Sequence, residues 1–94
     1  MNQSSSDAVD DTPLWFIYIL ECADGTLYTG ITNDIERRLE QHNAGTAARY
    51  TRSRTPVKLV FQEAAENRSA ALKREYAIKQ LTRKQKERFL TGET

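Results

Sequence analysis

The segment from Leu14 to Ile31 constrains the fold more strongly than any other part of the chain. Its first part, Leu14 to Leu20, is apolar at both alternating positions and rich in aromatic and β-branched residues, which predicts a central strand buried on both faces. Ala23-Asp24-Gly25 is typical of a turn, and Leu27 to Ile31 alternates like a second strand. The sequence therefore predicts a β-hairpin whose first strand lies inside a sheet.

Helices and a third strand are predicted after the hairpin. Asn33 is expected to cap the first helix, with Glu36 reaching back towards it, and Gly45 lies where this helix should end. The later segments are a polar, arginine-rich loop, a strand and two helices, at residues 46–55, 57–61, 69–80 and 82–90 respectively. The order ββαβαα predicts an α+β fold in which a small three-stranded antiparallel sheet is flanked by helices.

Length and composition exclude several classes of protein. The 94 residues allow one domain, predicted over residues 14–92, and the polar, Ser/Asp-rich residues 1–13 predict a disordered N-terminal tail. Because the chain has one cysteine and one histidine, an intramolecular disulfide and a Cys/His metal site are both excluded. With no signal-like N-terminus and no apolar run long enough to cross a bilayer, we expect a cytoplasmic protein without a membrane partner.

Charge is distributed unevenly along the chain. Residues 1–36 contain seven acidic residues and no Lys or Arg, whereas residues 37–94 hold all 14 basic residues against six acidic ones, a net charge of +8. This asymmetry indicates a polyanionic partner, although a solvated helical surface explains it as well. A basic segment with an aromatic residue suits a nucleic-acid backbone and a stacked base. The candidate nucleic-acid-binding residues here are Arg49, Tyr50, Arg52, Arg54 and Lys58.

Two tyrosines of the hairpin could share a site, depending on the turn. A three-residue loop with Gly25 in the left-handed conformation places Tyr28 opposite Leu20, on the same face as Tyr18. A two-residue loop sends the two tyrosines to opposite faces, where both are ordinary strand aromatics. Gly30 lies on the face of Tyr28, where the missing side chain would admit a bulky ligand; packing against a helix explains it equally.

Three further residues could carry chemistry. Arg38 and His42 are i, i+4 neighbours beside an apolar stripe of the first helix, where an arginine could present its guanidinium to a phosphate. A surface arginine and a half-buried histidine are the alternative. Glu75 lies in the apolar stripe of the next helix, where a carboxylate is costly unless it binds a metal ion or pairs with a neighbouring Arg or Lys.

The order of these residues is more specific than any one of them. Phe16-Ile17-Tyr18 is followed ten residues later by Tyr28-Thr29-Gly30, and Arg38 and His42 stand ten and fourteen residues after Tyr28. Across nearly all of residues 14–90 the chain resembles the GIY-YIG nuclease superfamily, and within it the short stand-alone branch often called YhbQ-type. It differs from the family pattern in having Phe16 for the first Gly and Thr29 for the second Ile. It also has no Asn beyond Asn67, where many members carry one after the metal-binding Glu.

The resemblance implies a metal-dependent endonuclease that hydrolyses phosphodiester bonds, with DNA a more expected substrate than RNA, and a role in repair or processing. Tyr28 would be the general base or orient the attacking water, and Tyr18 would position that water or the phosphate. Arg38 would stabilise charge in the transition state, and His42 would contact the phosphate or assist proton transfer. Glu75 would hold a single Mg²⁺ or Mn²⁺. The alternative is a nucleic-acid-binding module that keeps the fold without cutting.

Overall fold

A three-stranded antiparallel sheet forms the centre of the structure, a computed structural model that describes residues 14–91. The strands are β1 (Trp15–Glu21), β2 (Leu27–Thr32) and β3 (Lys58–Ala65), and the helices are α1 (Ile35–Asn43), α2 (Arg49–Arg52), α3 (Arg68–Lys79) and α4 (Arg83–Thr91). The predicted N-terminal tail and Gly92, the last residue of the predicted domain, lie outside the described residues. None of the described helices is long and apolar enough to span a membrane.

The first predicted strand is central, as its composition indicated. The sheet order is β2-β1-β3, with β1 antiparallel to both neighbours. Ile17 and Ile19 are fully buried on one face, against Ala71 and Ile78 of α3. Tyr18 and Leu20 are buried on the other face, together with side chains that include Leu39 of α1. Helices therefore cover both faces of β1, which is why its apolar residues occupy both alternating positions.

The hairpin turn is the three-residue loop that a shared tyrosine face requires. The Cys22 N–H donates to the Thr26 carbonyl at 2.8 Å, and Gly25 has a φ of +84°. The register pairs Tyr28 with Leu20 and, two positions along each strand, Tyr18 with Gly30. Because cross-strand partners lie on one face, both tyrosines face the same side of the sheet.

Helix α1 begins one residue later than expected. Asp34, not Asn33, is the N-cap, because its side chain accepts a hydrogen bond from the Arg37 N–H at 3.1 Å. The prediction of Asn33 as the cap with Glu36 at the third helical position was therefore wrong. The expected end of the helix is confirmed, with Ala44 as the C-cap and Gly45 following at a φ of +80°.

The segment predicted as a polar loop contains a helical turn, so the observed order is ββααβαα. Helix α2 packs beside α1, and its Thr51 is fully buried. The third strand begins one residue later than predicted and continues to Ala65, pairing with β1 along its length. A register shift opposite Ile19 and Leu20 interrupts its alternation. Across this shift Leu59 pairs with Leu20 and Phe61 with Ile19, so the strand supplies apolar side chains to both faces.

The last two helices are capped by polar side chains. Asn67 caps α3 by accepting from the Ala70 N–H at 2.8 Å, so the helix begins at Arg68, one residue before the predicted start. Thr82 and Gln85 cap α4 reciprocally, each side chain accepting from the other residue's N–H, at 3.1 Å and 2.8 Å. Helix α4 adds Phe89 to the core on the side of Ile17 and Ile19. The opposite face of the sheet is left to α1, α2 and the tyrosines.

Candidate active site

A buried chain of polar side chains joins three elements on the tyrosine face. The hydroxyl of Tyr18, on β1, lies 2.8 Å from Nε2 of His42, on α1. Nδ1 of His42 lies 2.7 Å from the hydroxyl of Thr51, on α2. The exposed fractions are 4% for Tyr18, 1% for His42 and 0% for Thr51. Both ring nitrogens of His42 are therefore engaged inside the protein.

This arrangement bears on the role expected for His42. The resemblance implied that His42 contacts a phosphate or assists proton transfer, and the alternative was a half-buried histidine without a catalytic role. A ring that is 1% exposed, with both nitrogens occupied by hydroxyls, has no free nitrogen for a phosphate. Phosphate contact by His42 is therefore contradicted by the structure, whereas help with proton transfer stays a prediction.

Tyr28 lies half-buried at the outer edge of the same cluster. Its ring centroid is 5.2 Å from that of His42, 6.4 Å from that of Tyr18 and 5.8 Å from that of Tyr50, on which it stacks. The side chain is more exposed than that of Tyr18. Of the two predicted catalytic tyrosines, Tyr28 is thus the one nearer to solvent, and Tyr18 is the inner one.

Electrostatics connect the remaining predicted residues to this cluster. Burial raises the pKa of Tyr18 well above its ordinary value, the neighbouring Tyr28 raises it further, Arg38 lowers it and Glu75 raises it. Burial lowers the pKa of His42 to about 4, and the positive charge of Arg38 adds to the lowering. At neutral pH Tyr18 is therefore protonated and His42 uncharged. Arg38 and Glu75 both lie within electrostatic reach of the Tyr18 hydroxyl.

Glu75 lies on α3, a helix on the opposite face that packs against β1 and the edge strand β2, and its charge acts on Tyr18 from there. Its side chain is 17% exposed, and Oε2 lies 3.2 Å from Nζ of Lys79 one turn later. The salt bridge that the sequence offered as an alternative is thus present. Because Lys79 is itself 50% exposed, this pair is solvent-screened and leaves the carboxylate available to a competing cation.

The carboxylate of Glu75 fits a divalent metal ion as a single hard-oxygen ligand. Among residues 14–91, no three His, Cys, Asp or Glu side chains are grouped so that they could share an ion. An ion here would have Glu75 as its carboxylate ligand and water for most other positions, which is the kind of coordination that Mg²⁺ accepts.

Gly30 has a steric role towards Tyr18. A Cβ placed on Gly30 would lie 2.6 Å from the Tyr18 hydroxyl oxygen and 2.8 Å from Cζ. The ring of Tyr18, the cross-strand partner, thus fills the space that a side chain on Gly30 would need. Of the two explanations offered for Gly30, ligand access and packing, packing is the one that the structure supports. The packing partner is Tyr18 of the neighbouring strand and not a helix.

The predicted nucleic-acid-binding residues divide into two groups. Arg54 is committed to the fold: Nε pairs with Asp24 of the hairpin loop at 3.0 Å, Nη1 donates to the Tyr50 carbonyl at 2.8 Å, and the guanidinium carbon lies 4.2 Å from the Tyr50 ring centroid. Tyr50 is therefore held between Arg54 and Tyr28, and is 40% exposed. The second group has exposed side chains and consists of Arg49, Arg52 and Lys58.

Lys58 lies apart from the tyrosine cluster and pairs with Glu21 at 3.3 Å near the hairpin turn. Arg49 and Arg52 form no ion pair within the described part of the chain and flank the buried Thr51 on α2. Sequence reasoning missed Thr51 altogether. A threonine in a polar stretch has no pattern that marks it as a partner of a histidine nine residues earlier.

Comparisons with known proteins show the family of this chain. The model of the GIY-YIG catalytic domain matches residues 14–88. A UPF0213 protein of Desulfotalea psychrophila is 63% identical over 73 residues, which cover 77% of this chain and 66% of that protein. A UPF0213 protein of Natronomonas pharaonis is 53% identical over 79 residues, covering 84% of this chain and 93% of that protein.

Two solved structures share the fold. The solution structure of protein EF2693 from E. faecalis has a TM-score of 0.59 and 45% identity, covering 89% of this chain and 90% of that one. The solution structure of the UPF0213 protein BH0048 from Bacillus halodurans has a TM-score of 0.55 and 42% identity, with 83% of each chain covered. The chain therefore belongs to the GIY-YIG nuclease family, among its UPF0213 members.

Proposed function

We propose that this protein is a metal-dependent endonuclease that hydrolyses phosphodiester bonds in nucleic acid. The observation that supports this most directly is the convergence on one phenol. Tyr18 lies beside Tyr28 and His42, and its pKa responds to the charges of Arg38 and Glu75. A phosphodiesterase needs an oriented water, a cation for the phosphate oxygens and support for the leaving oxygen, and this set contains a candidate for each.

The two tyrosines take different parts in the proposed reaction. Tyr28, the outer one, orients the attacking water or accepts its proton as the new P–O bond forms. Tyr18 keeps its own proton at neutral pH, because burial raises its pKa, so it positions a reactant and does not serve as the base. His42, uncharged and buried, is a positioning residue that holds the Tyr18 hydroxyl in place.

The charged residues supply electrostatic stabilisation. Arg38 presents five N–H donors to a phosphate, and its fork favours two oxygens at once. Glu75 would hold one Mg²⁺ or Mn²⁺, and divalent ions are general cofactors of this family. Such an ion, when bound, would polarise the phosphate and stabilise charge on the leaving oxygen. We place the function in nucleic-acid processing or repair in the cytoplasm, with DNA, including branched and flapped forms, as the preferred substrate.

Cleavage of a labelled panel of single-stranded, duplex, flapped and branched DNA and RNA tests this proposal. With Mg²⁺ or Mn²⁺, Glu75→Gln and Tyr28→Phe should each reduce the cleavage rate by roughly 10²–10⁴-fold while leaving binding intact. Two controls match these changes. Glu63, on β3, pairs with Arg74 of α3 at 2.9 Å, so Glu63→Gln should keep the rate. Tyr76→Phe should also keep it, because the Tyr76 side chain is 68% exposed.

One observation favours a second function, a nucleic-acid-binding module without useful cleavage. Glu75 already has Lys79 as a counter-ion at 3.2 Å, so its carboxylate has a charged partner within the chain when no metal ion is bound. Such a module would bind nucleic acid with an affinity that falls steeply with salt and does not change with Mg²⁺ or with Glu75→Gln. Binding without cleavage under every metal condition would reject the nuclease proposal in favour of this one.

A further inference from the structure

His42 is held between two hydroxyls, and this makes the direction of its hydrogen bonds a two-way choice. A neutral imidazole carries one N–H, so one ring nitrogen donates and the other accepts. In the first arrangement Nδ1–H donates a hydrogen bond to Thr51, and the Tyr18 O–H donates a hydrogen bond to Nε2. In the second, Thr51 donates to Nδ1, and Nε2–H donates to Tyr18. In the first arrangement a lone pair of the Tyr18 oxygen is free to accept from a substrate. In the second, the Tyr18 O–H is free to donate to it.

The Thr51 hydroxyl has a second neighbour that separates these arrangements. Its oxygen lies 3.3 Å from the carbonyl oxygen of Ala48, in donor geometry. A carbonyl can only accept, so the Thr51 proton has an acceptor that does not depend on His42. The threonine oxygen is then free to accept from Nδ1–H at 2.7 Å.

Counting donors favours the first arrangement. With Nδ1 protonated, Tyr18 donates to His42, His42 to Thr51, and Thr51 to Ala48, so every proton in the chain has an acceptor. With Nε2 protonated, the Tyr18 O–H has no acceptor among the described residues. Because the side chain is only 4% exposed, solvent does not readily supply one. A buried donor without an acceptor costs free energy, so the Nδ1–H arrangement is the more stable one in the free protein.

We propose that Thr51 is a positioning residue that holds His42 in the Nδ1–H tautomer and thereby turns a lone pair of the Tyr18 oxygen towards the substrate. Tyr18 then accepts a hydrogen bond, from the attacking water or from the Tyr28 hydroxyl, and does not donate one to a phosphate oxygen. The tautomer of His42 is independent of what the protein does. The catalytic effect of Thr51 rests on the proposed nuclease function.

Nitrogen-15 NMR of the histidine ring tests the tautomer without any activity measurement. The chain contains one histidine, so its ring signals need no assignment. At pH 7 the wild-type protein should show a protonated Nδ1 and an unprotonated Nε2, and Thr51→Ser, which keeps the hydroxyl, should show the same. Thr51→Val keeps the shape but leaves Nδ1–H without an acceptor, so it should shift the ring towards the Nε2–H tautomer. A wild-type ring protonated at Nε2 overturns the inference, even if the valine variant does not fold. So does a folded valine variant with an unchanged tautomer.

Steady-state kinetics test the catalytic effect. Thr51→Val should lower kcat by about 10–100-fold with little change in KM, the size of effect known for hydrogen-bond partners of metal-binding histidines, and Thr51→Ser should restore most of the rate. An unchanged kcat in Thr51→Val, with the tautomer shifted, overturns the catalytic role of Thr51. If the wild-type protein cuts nothing, the nuclease proposal fails, yet the tautomer measurement still decides whether Thr51 positions His42. The two failures are therefore distinguishable.

Discussion

Replacement of Gly30 by alanine should displace the Tyr18 hydroxyl from His42. The new Cβ would lie 2.6 Å from the Tyr18 oxygen, whereas ordinary contacts of this kind begin at 3.4 Å, so the ring must move by about 1 Å. The Tyr18 ring is buried and cannot swing into solvent. A shift of this size would stretch the 2.8 Å hydrogen bond to His42 beyond the useful range of about 3.2 Å.

The expected cost follows from two contributions. Overpacking in a well-packed core costs about 1–3 kcal/mol, and a lost neutral hydrogen bond costs about 0.5–1.5 kcal/mol. Gly30→Ala should therefore lower the free energy of unfolding by about 2–4 kcal/mol, measured by urea unfolding at pH 7. The same change in a Tyr18→Phe background should cost about 1 kcal/mol less, because the nearest atom and the hydrogen bond are both absent.

Gly25 provides a matched control. Its φ of +84° penalises any side chain, but a Cβ there meets nothing within 4 Å. Gly25→Ala should cost about 1–2 kcal/mol from backbone strain alone, with no coupling to Tyr18→Phe. The steric explanation of Gly30 is refuted if Gly30→Ala costs less than about 0.5 kcal/mol, or if its cost is the same in the wild-type and Tyr18→Phe backgrounds.

Three further predictions concern stability. The pKa of His42 is about 4 in the folded protein and 6.5 ordinarily, so the unfolded chain binds this proton first as the pH falls. The free energy of unfolding should therefore be highest above about pH 6.5 and fall by about 3 kcal/mol towards pH 4. Urea midpoints between pH 7.5 and 4.5 measure this. Thr29→Val should raise stability by about 1 kcal/mol, since the buried Thr29 hydroxyl has no hydrogen-bond partner among the described residues; thermal unfolding measures it. Asn43→Ala should cost about 2 kcal/mol in urea, because its side-chain amide bonds both the N–H and the carbonyl of Val57, at 2.7 Å and 3.2 Å.

Each of these has a result that would contradict it. If His42 causes the loss of stability at low pH, His42→Gln must flatten the decline between pH 6.5 and 4, so an equal decline in that variant assigns it to other groups, such as the carboxylates. A loss of stability in Thr29→Val would mean that the hydroxyl has a partner. No change in Asn43→Ala would mean that the start of β3 is held by other contacts.

Local pattern alone determined most of the architecture. Apolar residues at both alternating positions place β1 inside the sheet, because only a strand covered on two faces can bury both sets. A glycine at the third position of the turn permits the loop that brings the tyrosines to one face. The i, i+4 spacing similarly places Arg38 and His42 on one side of α1. The relations within a strand or a helix hold between residues close in sequence, so periodicity is enough to predict them. The turn residues left a two-residue and a three-residue loop open, and the observed register decided between them.

The tertiary structure decided how those residues work together. Tyr18 and His42 are 24 residues apart in the sequence, and His42 and Thr51 are nine apart. No sequence pattern predicts that either pair is in contact. Whether His42 faces a phosphate or the core depends on α2, a helical turn whose polar sequence resembles a loop. Burial then removes the charge of His42 and keeps the proton on Tyr18. Side-chain identity sets the chemistry available to these residues, but desolvation and hydrogen-bond direction arise only when distant elements pack, and they determine which residue can donate and which can accept.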